Sequence, residues 1–182
     1  MKPLLLIGGG GHCRSCCDVI EAEGKYKIAG IIEQTGGNSE SVFGYQILGN
    51  DNDLSELVKK CSTALITVGQ IKNADLRVRL FQQLQGLGFE FATIISPRAY
   101  VSKNATLGAG TIVMHDALIN TGAKIGNNCI LNTKSLVEHN AIVEDHCHIS
   151  TSSVVNGGTI IREKTFIGSN TITKEYLTIG KN

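Results

Sequence analysis

A charge imbalance is the first thing missing from this 182-residue chain: 17 Lys and Arg stand against 16 Asp and Glu, a formal net charge of +1. That balance leaves no electrostatic footprint for DNA, RNA or an acidic membrane, so neither nucleic acid nor membrane is expected as a partner. Long apolar runs are missing too. Met1-Lys2-Pro3-Leu4-Leu5-Leu6-Ile7 is far too short for a signal peptide or a membrane span, and a cytoplasmic protein is expected. Aromatics are scarce at 5%, whereas glycines number 21, which suits a turn-rich repeat with a glycine loop. Paired metal-ligand cysteines are also lacking. Cys13-x-x-Cys16 has no second pair at ligand spacing, so the six cysteines read as reduced packing residues and no metal is expected.

What is present is a period of six. From Ile95 through Val101, Leu107 and Val113 to Ile161 and Ile167, every sixth residue is aliphatic. Two residues before each stands a small one, including Ala99, Ala105, Ala117, Ala123, Cys129 and Cys147. No amphipathic helix has this period, and no ordinary strand keeps one register so long. It is a hexapeptide repeat, the signature of a parallel β-helix, with the aliphatic pointing inward and the small residue making room at a corner. Three hexads make one triangular turn, so residues 18 apart stack.

The first ninety residues alternate strand and helix, which implies a parallel sheet covered by helices. Strands are expected at Leu4–Ile7, Lys27–Ile32 and Ala64–Val68, and helices at about 14–23, 51–60 (capped by Asn50 or Asp51) and 74–87. The expected organisation is therefore a Rossmann-like α/β domain over 1–92 and a β-helix over 93–182. Gly8-Gly9-Gly10-Gly11-His12 sits between the first strand and the first helix, where bare N–H groups and a helix start favour phosphate. The dinucleotide fingerprint is incomplete, since Cys13 stands where its third glycine belongs. His12 reads as a phosphate or sugar ligand or a helix cap. Glu33 lies where a ribose or base contact is expected.

On the prism, the residue before each inward aliphatic points outward. One face carries Tyr100, Leu118, Leu136, Val154 and Ile172, and a second carries Ile112, Ile130, His148 and Phe166. Two apolar faces call for partners, and a homotrimer is expected to cover them. His139 falls on a corner shared with Thr121 and Gly157, while His148 lies on a flat face away from it. His115 and His146 read as surface residues, and His139 is the candidate for chemistry.

Gly8 to His12, Ile130-Leu131-Asn132-Thr133, Glu138-His139 and His148-Ile149-Ser150 together resemble the bacterial sugar acetyltransferases of glycan synthesis. That group comprises sialic acid O-acetyltransferases and nucleotide-activated amino-sugar N-acetyltransferases, and the resemblance runs from Leu4 to about Gly180. It implies a left-handed β-helix, a trimer, and acetyl-CoA lying between neighbouring prisms. It implies His139 as general base in direct attack on the thioester, His148 touching the acetyl group, the Gly157 N–H polarising the thioester oxygen, and Asn132 touching the sugar. Gly69 and Arg77 follow the family's third-strand pattern and join Gly8, Gly10, Gly11, His12 and Glu33 as the expected substrate-binding set.

Two positions depart from the family pattern. Asn140 follows the base where the family usually has Asp or Glu. An amide orients the ring but does not stabilise its cation, so a lower rate is expected. The hexad also breaks at Thr173 and resumes at Ile179, whereas relatives continue for one or two turns, so the prism is expected to lack its last turns. N-acetylation of a nucleotide-linked amino sugar is the leading reading, because a phosphate loop implies a nucleotide on the acceptor. The alternatives are O-acetylation of a sialic-acid-like sugar and a non-catalytic trimeric scaffold.

Overall fold

The computed structural model describes residues 1–34 and 41–180. The chain divides into two compact units, one of Met1–Gly69 with Leu76–Ala92, the other of Gln70–Asp75 with Thr93–Asn182. The short segment Gln70–Asp75 thus groups with the prism and not with the α/β unit whose strand and helix it links, a placement that no local pattern announces. Residues 181–182, the end of the expected second domain, lie outside the described residues.

The first unit is a six-stranded sheet. Its elements run β1 (Lys2–Ile7), α1 (Gly11–Glu23), β2 (Tyr26–Ile32), β3 (Ser41–Val42), β4 (Tyr45–Gly49), α2 (Leu54–Leu57), β5 (Thr63–Ile66), α3 (Asp75–Gly86) and β6 (Glu90–Phe91). The strand order is β3-β4-β2-β1-β5-β6, and only the β3–β4 pair is antiparallel. Leu4, Leu5, Leu6 and Ile7 are at most 1% exposed, as befits a central parallel strand covered on both faces. The chain leaves β1 towards β2 on one side and returns to β5 on the other. Such a reversal opens a crevice at the carboxyl ends of the strands.

Three elements differ from the sequence reading, each for a local reason. The helix expected over 51–60 is one 3-10 turn (Asp51–Asp53) and the four residues of α2. Its start is fixed by a capping box in which Asn50 Oδ1 accepts from Asn52 N–H and Asp53 Oδ2 from Asn50 N–H, both at 2.9 Å. The β3–β4 hairpin has no clear signature in the sequence. Its two-residue turn places Phe43 at φ 50° and Gly44 at φ 80°, and Phe is a poor advertisement for a left-handed turn position. β5 ends at Ile66, before the expected Val68, because the Arg77 guanidinium takes the carbonyls of Ile66 and Val68 at 2.9 and 2.6 Å.

The second unit is a parallel β-helix. Two-residue strands recur every six residues from Ile94–Ile95 to Phe166–Ile167, with a further one at Thr178–Ile179, and form three sheets by pairing residues 18 apart, as in Ile112↔Ile130↔His148↔Phe166. Val113, Ile119, Leu131, Val137, Ile149, Val155 and Ile161 form the core with 0% exposure. Burying each such side chain contributes roughly 1.5–3 kcal/mol. Cys129 and Cys147 fill small inward slots and give their thiols to main-chain carbonyls. Thr173, where the aliphatic series breaks, is still 6% exposed, and its hydroxyl accepts from the Asn156 N–H at 2.9 Å.

From Gly110 onward the corners close in the same way. The third residue after the inward one adopts a left-handed conformation: Asp116, Asn128, Lys134, Asn140, His146, Ser152, Lys164, Asn170 and Tyr176 at φ 52–63°, and Gly110, Gly122 and Gly158 at φ 66–74°. Asn, Asp and Gly dominate the set because they tolerate this region at least cost.

One of the two apolar faces expected to need a partner is closed within the chain. The face bearing Ile112, Ile130 and His148 is not left open, since these residues are 0%, 0% and 6% exposed within the single chain. The face of Tyr100 (59% exposed), Leu118, Leu136, Val154 and Ile172 (68% exposed) remains as an open apolar stripe.

Candidate active site

The glycine loop lies at the crevice of the sheet. Its first two glycines are required by the fold. Gly8 sits at φ 110°, donates its N–H to Ile32 O at 2.8 Å and accepts the Thr67 hydroxyl at 2.6 Å. A Cβ there would meet Val68 Cγ2 at 2.5 Å. A Cβ on Gly9 would lie 2.8 Å from Glu33 Oε2, so the carboxylate expected to contact a ribose or base stands directly against the loop. The other two differ. A Cβ on Gly10 or Gly11 would meet nothing within 4 Å. Gly10 caps α1 without a side-chain bond, and the first turn carries no acidic residue. Two open glycines on an uncapped helix start fit an anion. Gly8, Ile32, Gln34, Asp51 and Val68 line a cleft at this end of the sheet.

Gly69 faces His12, whose Cβ would lie 3.5 Å from a Cβ on the glycine. Arg77 is 1% exposed and turns onto the end of β5. It shapes the strand end beside the loop and does not extend to the surface.

On the prism, His139 is exposed at its corner. Its ring lies over Gly157 one turn on, with Nε2 2.7 Å and Cε1 2.8 Å from where a Cβ would stand. The corner N–H groups of Thr121, Thr133 and His139 each donate to a side-chain oxygen, on Asn120, Asn132 and Glu138. Among the described residues no acceptor takes the Gly157 N–H. Glu138 is engaged elsewhere, since its Oε2 accepts from Asn120 Nδ2 at 2.7 Å and from the His139 N–H at 3.1 Å. Asn140, at φ 57°, sets its amide 3.3 Å from His139 Nδ1. An imidazole acting as base through Nε2 carries its proton on Nδ1. In the structure Nδ2 faces Nδ1, and a half-turn about Cβ–Cγ would bring Oδ1 there instead.

His148 stands among a different set of groups. Nδ1 lies 2.6 Å from Gln70 O and Nε2 3.2 Å from Asn132 Nδ2, and the ring meets Phe166 edge-on at 5.1 Å between centroids. The two histidines are thus built into separate surroundings, one on Glu138, Asn140 and Gly157, the other on Gln70, Asn132 and Phe166. His115 and His146 are not the surface residues expected. His115 Nδ1 lies 2.6 Å from Ser96 Oγ, and His146 Nδ1 lies 3.0 Å from Asn128 Nδ2, while its carbonyl accepts from Gln70 Nε2 at 3.0 Å. Both are half-buried because corner side chains of successive turns stack.

All six cysteines are free thiols and buried. Burial pushes the Cys16 and Cys147 thiols well above their ordinary range, so neither is a nucleophile. No group of three or more His, Cys, Asp or Glu able to hold a metal occurs among the described residues, and no helix among them is long and apolar enough to cross a membrane.

Known proteins match this architecture. Residues 3–84 match the family model described as the PglD N-terminal domain. The UDP-N-acetylbacillosamine N-acetyltransferase of Bacillus subtilis strain 168 is 30% identical over 115 residues, 63% of this chain and 52% of that protein. The chain thus spans about half the length of the curated relative it matches. The acetyltransferase domain of PglB from Neisseria gonorrhoeae FA1090, solved in complex with acetyl coenzyme A, superposes with a TM-score of 0.90 at 28% identity, covering 99% of this chain and 85% of that one. A variant of GDP-perosamine N-acetyl transferase from Caulobacter crescentus, in complex with CoA and GDP-perosamine, superposes with a TM-score of 0.75 at 25% identity, covering 100% of this chain and 90% of that one. The chain is thus similar to the PglD N-terminal domain over residues 3–84 and to solved bacterial sugar acetyltransferases over nearly its whole length.

Proposed function

We propose that the chain transfers an acetyl group from acetyl-CoA to the amino group of a nucleotide-activated amino sugar in bacterial glycan synthesis. The observation that carries this reading is the corner where the His139 ring overlies Gly157 with its unclaimed N–H. The acceptor nitrogen attacks the thioester carbonyl directly, forming the C–N bond, and His139 Nε2 takes the proton the nitrogen sheds. The Gly157 N–H stabilises the oxyanion of the tetrahedral intermediate. As the C–S bond breaks, the imidazolium returns its proton to the departing CoA sulfur. The open glycines Gly10 and Gly11, with His12 and Glu33, hold the phosphate and ribose of the nucleotide. Asn132 contacts the sugar or the acyl group.

N-acetylation is favoured over O-acetylation by the uncapped glycine loop, which suits an acceptor bearing phosphate, and by the relatives: one is named for a UDP-linked sugar and another was solved with GDP-perosamine. Such a donor and acceptor belong to the cytoplasm. The open stripe of Tyr100, Leu118, Leu136, Val154 and Ile172 supports a homotrimer in which neighbouring prisms enclose the donor.

Calorimetry with acetyl-CoA alone tests the donor half without choosing a sugar. Saturable binding at one site per chain is expected. No binding at millimolar ligand, from folded protein, removes the acetyltransferase reading and favours a scaffold.

A further inference from the structure

Gln70, in the segment 70–75, reaches the histidines of the prism with both its side chain and its main chain. It is 2% exposed. Its Nε2 donates to His146 O at 3.0 Å, and its own carbonyl lies 2.6 Å from His148 Nδ1. A carbonyl oxygen carries no proton, so Nδ1 of His148 is the donor. Across the ring, Nε2 lies 3.2 Å from Asn132 Nδ2. The Asn132 amide is not free to turn over, because its Oδ1 accepts the Thr133 N–H at 2.8 Å. Its Nδ2 therefore faces His148 and donates, which requires a bare Nε2. Each bond in the series Gln70 O, His148, Asn132, Thr133 N–H fixes the direction of the next.

We propose that Gln70 is a positioning residue of the acyl-transfer site: its carbonyl locks His148 in the neutral Nδ1–H tautomer, and His148 in turn aims the Asn132 amide. The proposal rests on the acetyltransferase reading for its catalytic meaning. An amide nitrogen has two hydrogens. One is spent on His148 Nε2, and the half-buried Asn132 keeps the other for an oxygen of the bound substrate. His148 then acts through Asn132, as the outer partner of a ligand acts through the ligand itself. The Gln70 side chain matters because its bond to His146 O holds the carbonyl at that distance, and nothing local in the sequence would do so.

Imidazole nitrogen NMR of the full ¹⁵N-labelled chain reads the lock without any substrate, with the His148 signal assigned by its loss in His148→Gln. The expected spectrum shows His148 as a single neutral Nδ1–H tautomer at pH 7.5. An Nε2–H tautomer, an imidazolium or an averaged pair overturns the proposal. In Gln70→Ala the tautomer signal is expected to become mixed. The kcat for acetyl transfer should fall about tenfold, with the KM for acetyl-CoA within twofold and the melting temperature little changed. Gln70→Glu keeps the volume but sets a carboxylate against the His146 carbonyl, and it should behave in the same way should the alanine variant not fold. A pure tautomer or an unchanged kcat in the folded variant overturns the proposal. If the wild-type chain acetylates nothing, the acetyltransferase reading fails on its own, and the tautomer still decides whether Gln70 holds His148.

Discussion

His139 and Gly157 are one turn apart in the β-helix and in direct apposition, with the ring Nε2 2.7 Å from where a glycine Cβ would stand. Side-chain bulk is therefore excluded at 157 by the His139 ring itself. Gly157→Ala is expected to push the exposed ring aside and to lower kcat about 10²-fold, the size of effect seen when an oxyanion donor or its partner is misplaced. Because His139 is at the surface, the melting temperature should move little. Steady-state kinetics with thermal melts separate the two effects.

Asn140 has a conformational duty besides its contact with His139. Its φ of 57° costs an ordinary residue about 1–2 kcal/mol. Asn140→Ala should lose about 1 kcal/mol in urea unfolding, whereas Asn140→Gly should lose less. Both should retain more activity than His139→Ala, since the amide orients the ring and does not itself react.

The glycine loop separates fold from ligand. Gly8→Ala, at φ 110° and against Val68, should destabilise the α/β unit by roughly 1–3 kcal/mol. Gly10→Ala and Gly11→Ala meet nothing in the chain and should leave the melting temperature unchanged. They should raise the KM for a nucleotide-sugar acceptor several-fold and leave acetyl-CoA affinity alone. If the acceptor KM does not rise in either variant, the phosphate role of the loop is lost.

One acid sensitivity is built into the prism. The Arg162 guanidinium at 2.7 Å and the Glu163 N–H at 2.9 Å hold the Glu144 carboxyl below the ordinary carboxylate range. A depressed folded value contributes stability that is fully present above the unfolded value and is lost as pH falls through the folded one. The pair is part-exposed, so the contribution is at most about 1 kcal/mol. Glu144→Gln should be less stable than the parent at pH 7 in urea melts, and the gap should close as pH falls below about 4.

The prism was legible because its period is steric: an inward aliphatic every six residues leaves no other register. The left-handed corners were legible in principle as well, since Gly110, Asp116, Gly122, Asn128, Asn140, Gly158 and Asn170 recur in steps of six or its multiples. The stacking of His139 on Gly157 followed from the same arithmetic. The contact between Glu33 and Gly9 needed the twist of the sheet, which spacing does not encode. Gln70 carried no signal at all, because its role is tertiary: residues 146 and 148 come to it only once the chain has folded. Arg77 is a site residue by its position in a pattern, and its burial and the bonds from its Nη1 to the Ile66 and Val68 carbonyls are visible only in the fold.

The most direct test of the account is CoA thiol release by the purified chain with acetyl-CoA and a panel of UDP- and GDP-linked amino sugars, run beside His139→Ala. The account predicts one thiol released per N-acetylated sugar nucleotide formed, with no turnover of the unphosphorylated sugar. It predicts a loss of about 10²–10⁴-fold in the folded His139→Ala variant. Equal rates in parent and variant, or no acetylation of any acceptor by a chain that binds acetyl-CoA, would contradict it.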